Sequence, residues 1–187
     1  MKVGLPGTGK STLSQRLAQK VKAVHLRVDT IEQGLRDLCN LRIEGQGYRL
    51  AYRIAADNLR LGMNVIADSC NPLQLTRREW EQVAIEAGAR FTNIEVVCSD
   101  SRELRQRVES RTSTVPGLKL PTWSEVENRE YHSWSTVRII IDTAGRSESE
   151  SIEALYRALG SRLESPSNPL HVKPVRKAYE STSFAAT

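Results

Sequence analysis

Short apolar runs alternate along the chain with stretches in which apolar residues recur at helical spacing. Five runs have the apolar and β-branched composition of strands, at 2–5, 24–28, 64–67, 92–98 and 137–141. The stretches between them repeat apolar residues with the period of an amphipathic helix. This alternation predicts an α/β fold with a parallel sheet.

Capping residues predict where several helices begin. Thr76 with Glu79, and Asp100 with Glu103, have the spacing of capping boxes, in which two side chains satisfy the backbone of the first helical turn. A further helix is expected over about 125–134. The last predicted helix has leucines at helical spacing and closes the folded part of the chain.

Composition limits the kind of protein that this chain can be. At 187 residues, one domain with a core of its own is expected. No apolar run approaches the length that spans a membrane, and the three cysteines lack metal-ligand spacing, which favours a reduced, cytoplasmic setting. The net charge of +5 suits an anionic substrate, but it is too small to indicate nucleic acid by itself.

The domain is predicted to occupy 1–163. Residues 164–187 contain three prolines and several serines, which is typical of a tail or an arm lying on a surface. Only three residues precede the first glycine. Because the strand before such a loop normally lies in the middle of the sheet, we expect that a residue or two is missing upstream.

The strongest chemical motif, G-x-x-x-x-G-K-S, runs from Gly4 to Ser11. Its glycines allow the backbone to wrap around phosphate groups with N–H groups pointing inward. In this motif the lysine reaches the β- and γ-phosphates and the serine hydroxyl ligates Mg²⁺. The predicted cofactors are therefore ATP and Mg²⁺, and the predicted cofactor-binding residues are Gly4, Gly7, Thr8, Gly9, Lys10, Ser11 and Thr12.

Three predicted strands end in aspartate, namely at Asp29, Asp68 and Asp142. In open parallel sheets, ligands bind outside the carboxyl ends of the strands. Asp68 has the position of the acidic residue that organises Mg²⁺ and its water, which makes it a candidate metal ligand together with the motif serine. Asp29 leads into a helix, so helix capping is its alternative role, and for Asp142 a turn is favoured.

Two arginines four positions apart, Arg107 and Arg111, project from one predicted helix. Pairing of Glu103 with Arg107 on a solvated face is the alternative explanation. The following segment, with Pro116, Gly117 and Pro121, is expected to form a mobile lid over about 112–123. Arginines beside a lid can bring charge onto a transferring phosphoryl group and help exclude water.

The order of these motifs resembles the polynucleotide kinase-like P-loop kinases, a group that also takes in zeta toxins, antibiotic phosphotransferases and gluconate kinases. The resemblance covers about 3–163. It implies a three-layer P-loop NTPase fold with a five-stranded parallel sheet of order 2-3-1-4-5. It also implies that Asp29 takes the proton from an acceptor hydroxyl, that Asp68 lies near metal and acceptor, and that Arg107 and Arg111 are lid arginines which stabilise charge together with Lys10.

One departure from the family bears on the acceptor. Polynucleotide kinases place an arginine three residues after the first aspartate, where it helps to hold a substrate phosphate, and this chain has Glu32 there, with Arg36 one turn further on. We therefore favour γ-phosphate transfer from ATP to a hydroxyl of a small molecule such as a sugar, a nucleoside or an antibiotic-like compound. A polynucleotide 5′-hydroxyl kinase and an ATP-binding switch or toxin-like protein remain open. Trp134 could stack on a base, although a core position is favoured for it.

Overall fold

Five parallel strands form one sheet in the computed structural model, which describes residues 2–163. The strand order is β2-β3-β1-β4-β5, and every neighbouring pair is parallel. This arrangement confirms the α/β fold. The strands are β1 Lys2–Val3, β2 Val24–Arg27, β3 Val65–Asp68, β4 Ile94–Val97 and β5 Ile139–Asp142.

Helices cover both faces of this sheet. They are α1 Lys10–Val21, α2 Val28–Cys39, α3 Gln46–Arg60, α4 Gln74–Glu86, α5 Ser101–Ser110, α6 Trp123–Glu127 and α7 Glu148–Leu163. Ile66 packs with α1 and α7 in one apolar cluster, whereas its neighbour Ala67 packs with α3 and α4 in another. Because successive side chains of a strand point to opposite faces, β3 is covered on both sides.

The first of these clusters holds α1 against the sheet. Leu13 of α1, Val96 of β4 and Leu155 of α7 are at most 2% exposed. Burying one such side chain stabilises the fold by about 1.5–3 kcal/mol. α1 is thereby held against the sheet, and its N-terminus lies at the carboxyl end of β1.

The predicted helix over 125–134 is wrong in its extent. α6 starts two residues earlier, at Trp123, behind a complete capping box between Thr122 and Glu125, and it ends at Glu127. Beyond it the chain is irregular up to β5. Trp134 lies in this irregular stretch, where the guanidinium group of Arg77 stacks on its ring at 4.3 Å, so tertiary packing overrides the local helical pattern.

One of the two capping boxes predicted elsewhere is also wrong. α4 begins at Gln74 without a capping side chain, because the Thr76 hydroxyl donates instead to the backbone oxygen of Leu73, 3.0 Å away. The carboxylate of Glu79 accepts a hydrogen bond from Tyr52.

The second box is half formed. Asp100 caps α5 and accepts hydrogen bonds from the backbone N–H groups of Arg102 and Glu103, at 2.8 and 3.0 Å. The Glu103 side chain does not return to the backbone of Asp100, since it binds Arg107.

Within residues 2–163, the structure contains no helix that is both long enough and apolar enough to cross a lipid bilayer. The predicted tail, 164–187, lies outside the described residues.

Candidate nucleotide and acceptor site

The loop between β1 and α1 leaves almost no room for side chains. A Cβ atom at Gly4 would collide with the backbone oxygen of Val96 and lie 2.8 Å from the hydroxyl of Thr8. Gly7 and Gly9 have φ angles of 89° and 83°, in the left-handed region that glycine adopts without strain. The glycines therefore let the backbone curl tightly over the start of α1.

The N-terminus of α1 is open to an anion. Gly9 is its N-cap residue, and no side chain caps the first turn, so the first N–H groups have no partner inside the helix. They carry the positive end of the helix dipole, and phosphate groups bind at such termini. Lys10, Ser11 and Thr12 begin the helix at this point, which brings the predicted nucleotide-binding residues together.

Lys10 links this loop to the other strand ends. Its side chain is 7% exposed, and burial alone would lower the pKa of its ammonium group. Cys70, Asp68 and Asp29 lie near enough to outweigh burial, and together they raise the pKa of Lys10 above its ordinary value. The lysine is therefore charged at neutral pH and lies near Asp29 and Asp68.

Asp68 is a buried carboxylate, 2% exposed, at the end of β3. One of its oxygen atoms has no hydrogen-bond partner among the described residues, and His25 Nε2 lies 3.6 Å from it. Burial would raise the pKa of Asp68, but His25, the charge of Lys10 and the Ser11 hydroxyl together hold that pKa below its usual range. The carboxylate is therefore ionised.

The pair formed by Ser11 and Asp68 fits a Mg²⁺ ion. Hydroxyl and carboxylate oxygens are ligands that this cation prefers, and the free oxygen of Asp68 is available to it. Within 2–163, no group of three or more His, Cys, Asp or Glu side chains could hold a metal by itself. Mg²⁺ in kinases typically needs only one or two carboxylates, because substrate phosphates and water supply the other ligands.

Asp29 is not a helix cap. α2 starts at Val28 with Arg27 as its N-cap residue, so Asp29 lies inside the first turn. Among the described residues, no hydrogen bond to its carboxylate is found, although its charge contributes to the raised pKa of Lys10. The capping alternative is therefore wrong, and Asp29 lies near enough to Lys10 and Arg111 for its charge to act on both.

Arg107 is held in place by contacts that the sequence pattern only partly indicated. It binds Glu103 on its own helix, as the alternative explanation expected. It also donates to Thr143 Oγ1 at 2.9 Å and to the Thr143 backbone oxygen at 3.0 Å. The Thr143 hydroxyl in turn reaches the backbone oxygen of Thr8 at 3.2 Å. Arg107 is thus fixed beside the phosphate loop.

Arg111 differs, because two of its guanidinium nitrogens are buried and have no hydrogen-bond partner among the described residues. Burial lowers the pKa of Arg111, Cys70 and Asp29 oppose that shift, and the like charges of Arg129 and Arg27 add to it. The charges of Asp29, Arg129 and Arg27 therefore all act on Arg111.

The segment that follows α5 covers this group of charges. Thr114 accepts a hydrogen bond from Arg27 at 2.7 Å, and Val115 is 6% exposed. A Cβ atom at Gly117 would lie 3.1 Å from the amide of Gln33 in α2. The predicted lid thus packs against β2 and α2, although its mobility stays a prediction.

A family model described as an AAA domain matches residues 1–122, which is more than half of the chain. The chain belongs to this AAA domain family. The match includes the phosphate loop, Asp29, Asp68, Arg107 and Arg111. No curated protein matches the chain.

Solved kinase structures share the fold of this AAA domain. The APS kinase of Mycobacterium tuberculosis, in complex with AMPPNP and APS, is 18% identical with a TM-score of 0.64, and the match covers 85% of this chain and 95% of that one. A gluconokinase from Sinorhizobium meliloti is 15% identical with a TM-score of 0.62, over 87% of this chain and 90% of that one. A sugar kinase from Janibacter is 12% identical, with a TM-score of 0.59 and coverage of 85% and 92%. These likenesses support a P-loop kinase fold and do not single out the polynucleotide kinase or zeta-toxin subgroup.

Several residues of the site in this AAA domain were not predicted. Arg27 ends β2, and Cys70 follows β3 by two residues, so the rule that ligands bind at carboxyl strand ends would have found both, had it been applied beyond aspartates. No local pattern pointed to Thr143, which is polar and 4% exposed. Arg129 was hidden because a helix was expected around it.

Two other candidates make structural contacts. Asp142 accepts hydrogen bonds from the backbone N–H groups of Ser99 and Ala144, both at 3.0 Å, as the turn interpretation expected. The side chains of Trp134 and Tyr131 stack on Arg77. Trp134 is partly buried and lies outside the three apolar clusters.

Proposed function

We propose that the chain transfers the γ-phosphate of MgATP to a hydroxyl group of a small molecule. The observation that carries this proposal is the position of Asp29, whose charge acts on Lys10 of the phosphate loop while its carboxylate accepts no hydrogen bond from the described residues. A nucleotide switch does not require such a base. A phosphotransferase does, because the acceptor hydroxyl must lose a proton as it attacks.

On the donor side, the backbone of Gly4, Gly7, Thr8 and Gly9 and the N-terminus of α1 would hold the phosphates, with Ser11 and Thr12 at its start. Lys10 would neutralise charge on the β- and γ-phosphates. Ser11 and Asp68 would hold Mg²⁺, which, when bound, neutralises charge that develops on the phosphates.

On the acceptor side, Asp29 would accept the proton of the attacking hydroxyl. Two guanidinium nitrogens of Arg111 have no hydrogen-bond partner among the described residues, and the charge of Asp29 acts on this group. Arg111 would therefore stabilise charge on the transferring phosphoryl group. Arg107 would act from its fixed position next to Thr143. Stabilisation by an arginine of this kind is worth about 10³–10⁵ in rate in other phosphotransferases.

Replacing Asp29 by asparagine tests the base assignment. Acceptor-dependent turnover should fall by about 10²–10⁴, while ATP binding should persist, because the phosphate loop is untouched. Asp57→Asn is the matched control, since Asp57 is exposed on α3 and its one ion pair with a described residue is with Arg60. Undiminished turnover by the Asp29 variant would show that another group takes the proton.

A screen for ATP consumption identifies the acceptor class. It should include sugars, nucleosides, aminoglycosides and 5′-hydroxyl oligonucleotides, and we expect a small molecule to be turned over. Selective turnover of the oligonucleotides would establish the polynucleotide kinase alternative. ATP turnover that no acceptor changes but a protein stimulates would establish the switch or toxin-like alternative.

A further inference from the structure

We propose that the acceptor is a small phosphomonoester, whose phosphate group is bound by Arg27 and Arg129 while its hydroxyl lies at Asp29. The inference rests on the proposed kinase function and names the substrate class of that site.

The arginines are the first argument. Arg27 Nε is buried and has no hydrogen-bond partner among the described residues, as is also true of two nitrogens of Arg111. A buried donor without a partner destabilises the fold, and for a charged group the cost is larger. Arg27 has one side-chain hydrogen bond in the described part, to the neutral hydroxyl of Thr114. Its remaining donors suit an anion from outside the chain.

The balance of charge is the second argument. Arg111 has Asp29 as its nearby carboxylate, so these two charges offset each other. Arg27 and Arg129 remain, and in the described residues neither has a carboxylate within the 4.0 Å of an ion pair. Glu125, the acidic group close to Arg129, is engaged by Thr122. Two unpaired guanidinium groups match a phosphomonoester, which carries a charge of about −1.5 to −2 at pH 7.

The place of Arg27 in the sheet favours the acceptor over ATP. Arg27 ends the edge strand β2, which β3 separates from the strand that feeds the phosphate loop. It lies two residues before Asp29, the proposed base. The donor phosphates already have Lys10, Arg107 and the N-terminus of α1, so additional positive charge at β2 lies on the acceptor side.

Glu32 does not oppose a phosphate as strongly as its sequence position suggested. Arg36 lies 3.4 Å from its carboxylate, and burial raises the pKa of Glu32. A Cβ atom at Gly47 would collide with its side chain, which shows that Glu32 packs against α3. Its charge is therefore partly offset, which weakens its repulsion of a phosphate bound nearby.

Phosphate binding can be measured apart from turnover. Inorganic phosphate is titrated calorimetrically into the full chain saturated with Mg²⁺ and AMPPNP, which fill the donor site. We expect binding that Arg27→Gln and Arg129→Gln each weaken by about tenfold or more, as expected for lost charge-assisted hydrogen bonds. Arg90→Gln is the matched control, because Arg90 is exposed and precedes β4, at the amino ends of the strands and opposite the site. Arg27→Lys should restore part of the phosphate affinity lost in Arg27→Gln. Arg129→Gln breaks no side-chain hydrogen bond among the described residues, so a weaker affinity in this variant reports on phosphate binding and not on lost structure. Absence of binding, or unchanged affinity in both variants, would overturn the inference.

Turnover then separates this inference from the kinase proposal. Sugar phosphates and nucleoside 3′-monophosphates should be better acceptors than the matching neutral compounds, and Arg27→Gln should raise KM for the phosphorylated ones alone. A preference for neutral acceptors or for 5′-hydroxyl oligonucleotides would overturn the inference while leaving a kinase. Arginine-dependent phosphate binding without turnover of any acceptor would uphold the anion site and count against the proposed function.

Discussion

Replacing Arg77 by methionine removes the cation that joins the irregular stretch before β5 to the site loop after β3. Its guanidinium group donates to three backbone oxygens, those of Asn71 and Pro72, both at 2.9 Å, and of Ser133 at 3.3 Å. The residue is 2% exposed. Methionine fills a similar volume but cannot donate, so the change isolates the polar contacts from the packing.

The expected loss follows from these contacts. A hydrogen bond from a charged donor contributes about 1.5–3 kcal/mol, although the buried ion also loses hydration. Stacking on Tyr131 and Trp134, at 4.8 and 4.3 Å, adds roughly 0.5–2 kcal/mol. After the desolvation cost, the free energy of unfolding should fall by about 3–5 kcal/mol, the range for breaking a buried charged network.

Urea denaturation followed by circular dichroism measures this loss. With a slope of about 1–3 kcal/mol per molar urea, the midpoint should fall by roughly 1–5 M. The matched control is Arg78→Met on the same helix, because Arg78 is exposed and its replacement should change stability by less than about 0.5 kcal/mol. Equal midpoints for the Arg77 variant and the wild type would refute the reasoning.

Two further substitutions test the frame of the phosphate loop. Gly4→Ala places a methyl group against the backbone oxygen of Val96 and should destabilise the fold by about 1–3 kcal/mol in urea titrations. As a control, Gly34→Ala in α2 places its methyl group where no atom lies within 4 Å, and it should stabilise the fold by about 0.5–1 kcal/mol. Thr143→Val removes a hydroxyl that binds Arg107 and the phosphate loop. It should lower the free energy of unfolding by about 1–3 kcal/mol and weaken ATP binding measured by calorimetry. Equal ATP affinity in Thr143→Val and Thr143→Ser would contradict this role.

The donor side was predictable because its signals are local. A glycine loop needs a strand before it and a helix after it, and both neighbours appear within a few residues of Gly4 and Lys10. The positions of Asp68, which ends β3, and of Asp29, which follows β2 by two residues, were also predictable, since parallel strands bring their carboxyl ends to one side of the sheet. Asp68 lies on that side, and the charge of Asp29 reaches Lys10 there.

The stretch after α6 was not predictable in the same way. Its apolar and aromatic residues have helical spacing, but Tyr131 and Trp134 enclose a cation from α4, and Tyr131 donates to Glu95 of β4 at 2.7 Å. These contacts join residues 36 or more positions apart. A local pattern cannot show that Tyr131 and Trp134 will pack on a buried arginine of α4, which keeps their stretch of chain out of a helix.

The lid segment explains why the acceptor side was harder to predict than the donor side. α5 contacts the phosphate loop through Arg107 and Thr143, and the segment after it contacts β2 through Thr114 and Arg27. One continuous stretch of chain therefore touches both halves of the proposed reaction, with Arg111 between the two contacts. The residues that would select an acceptor come from β2, this stretch and the loop after α6. Since their spacing in sequence carries no common period, only the fold brings their charges together.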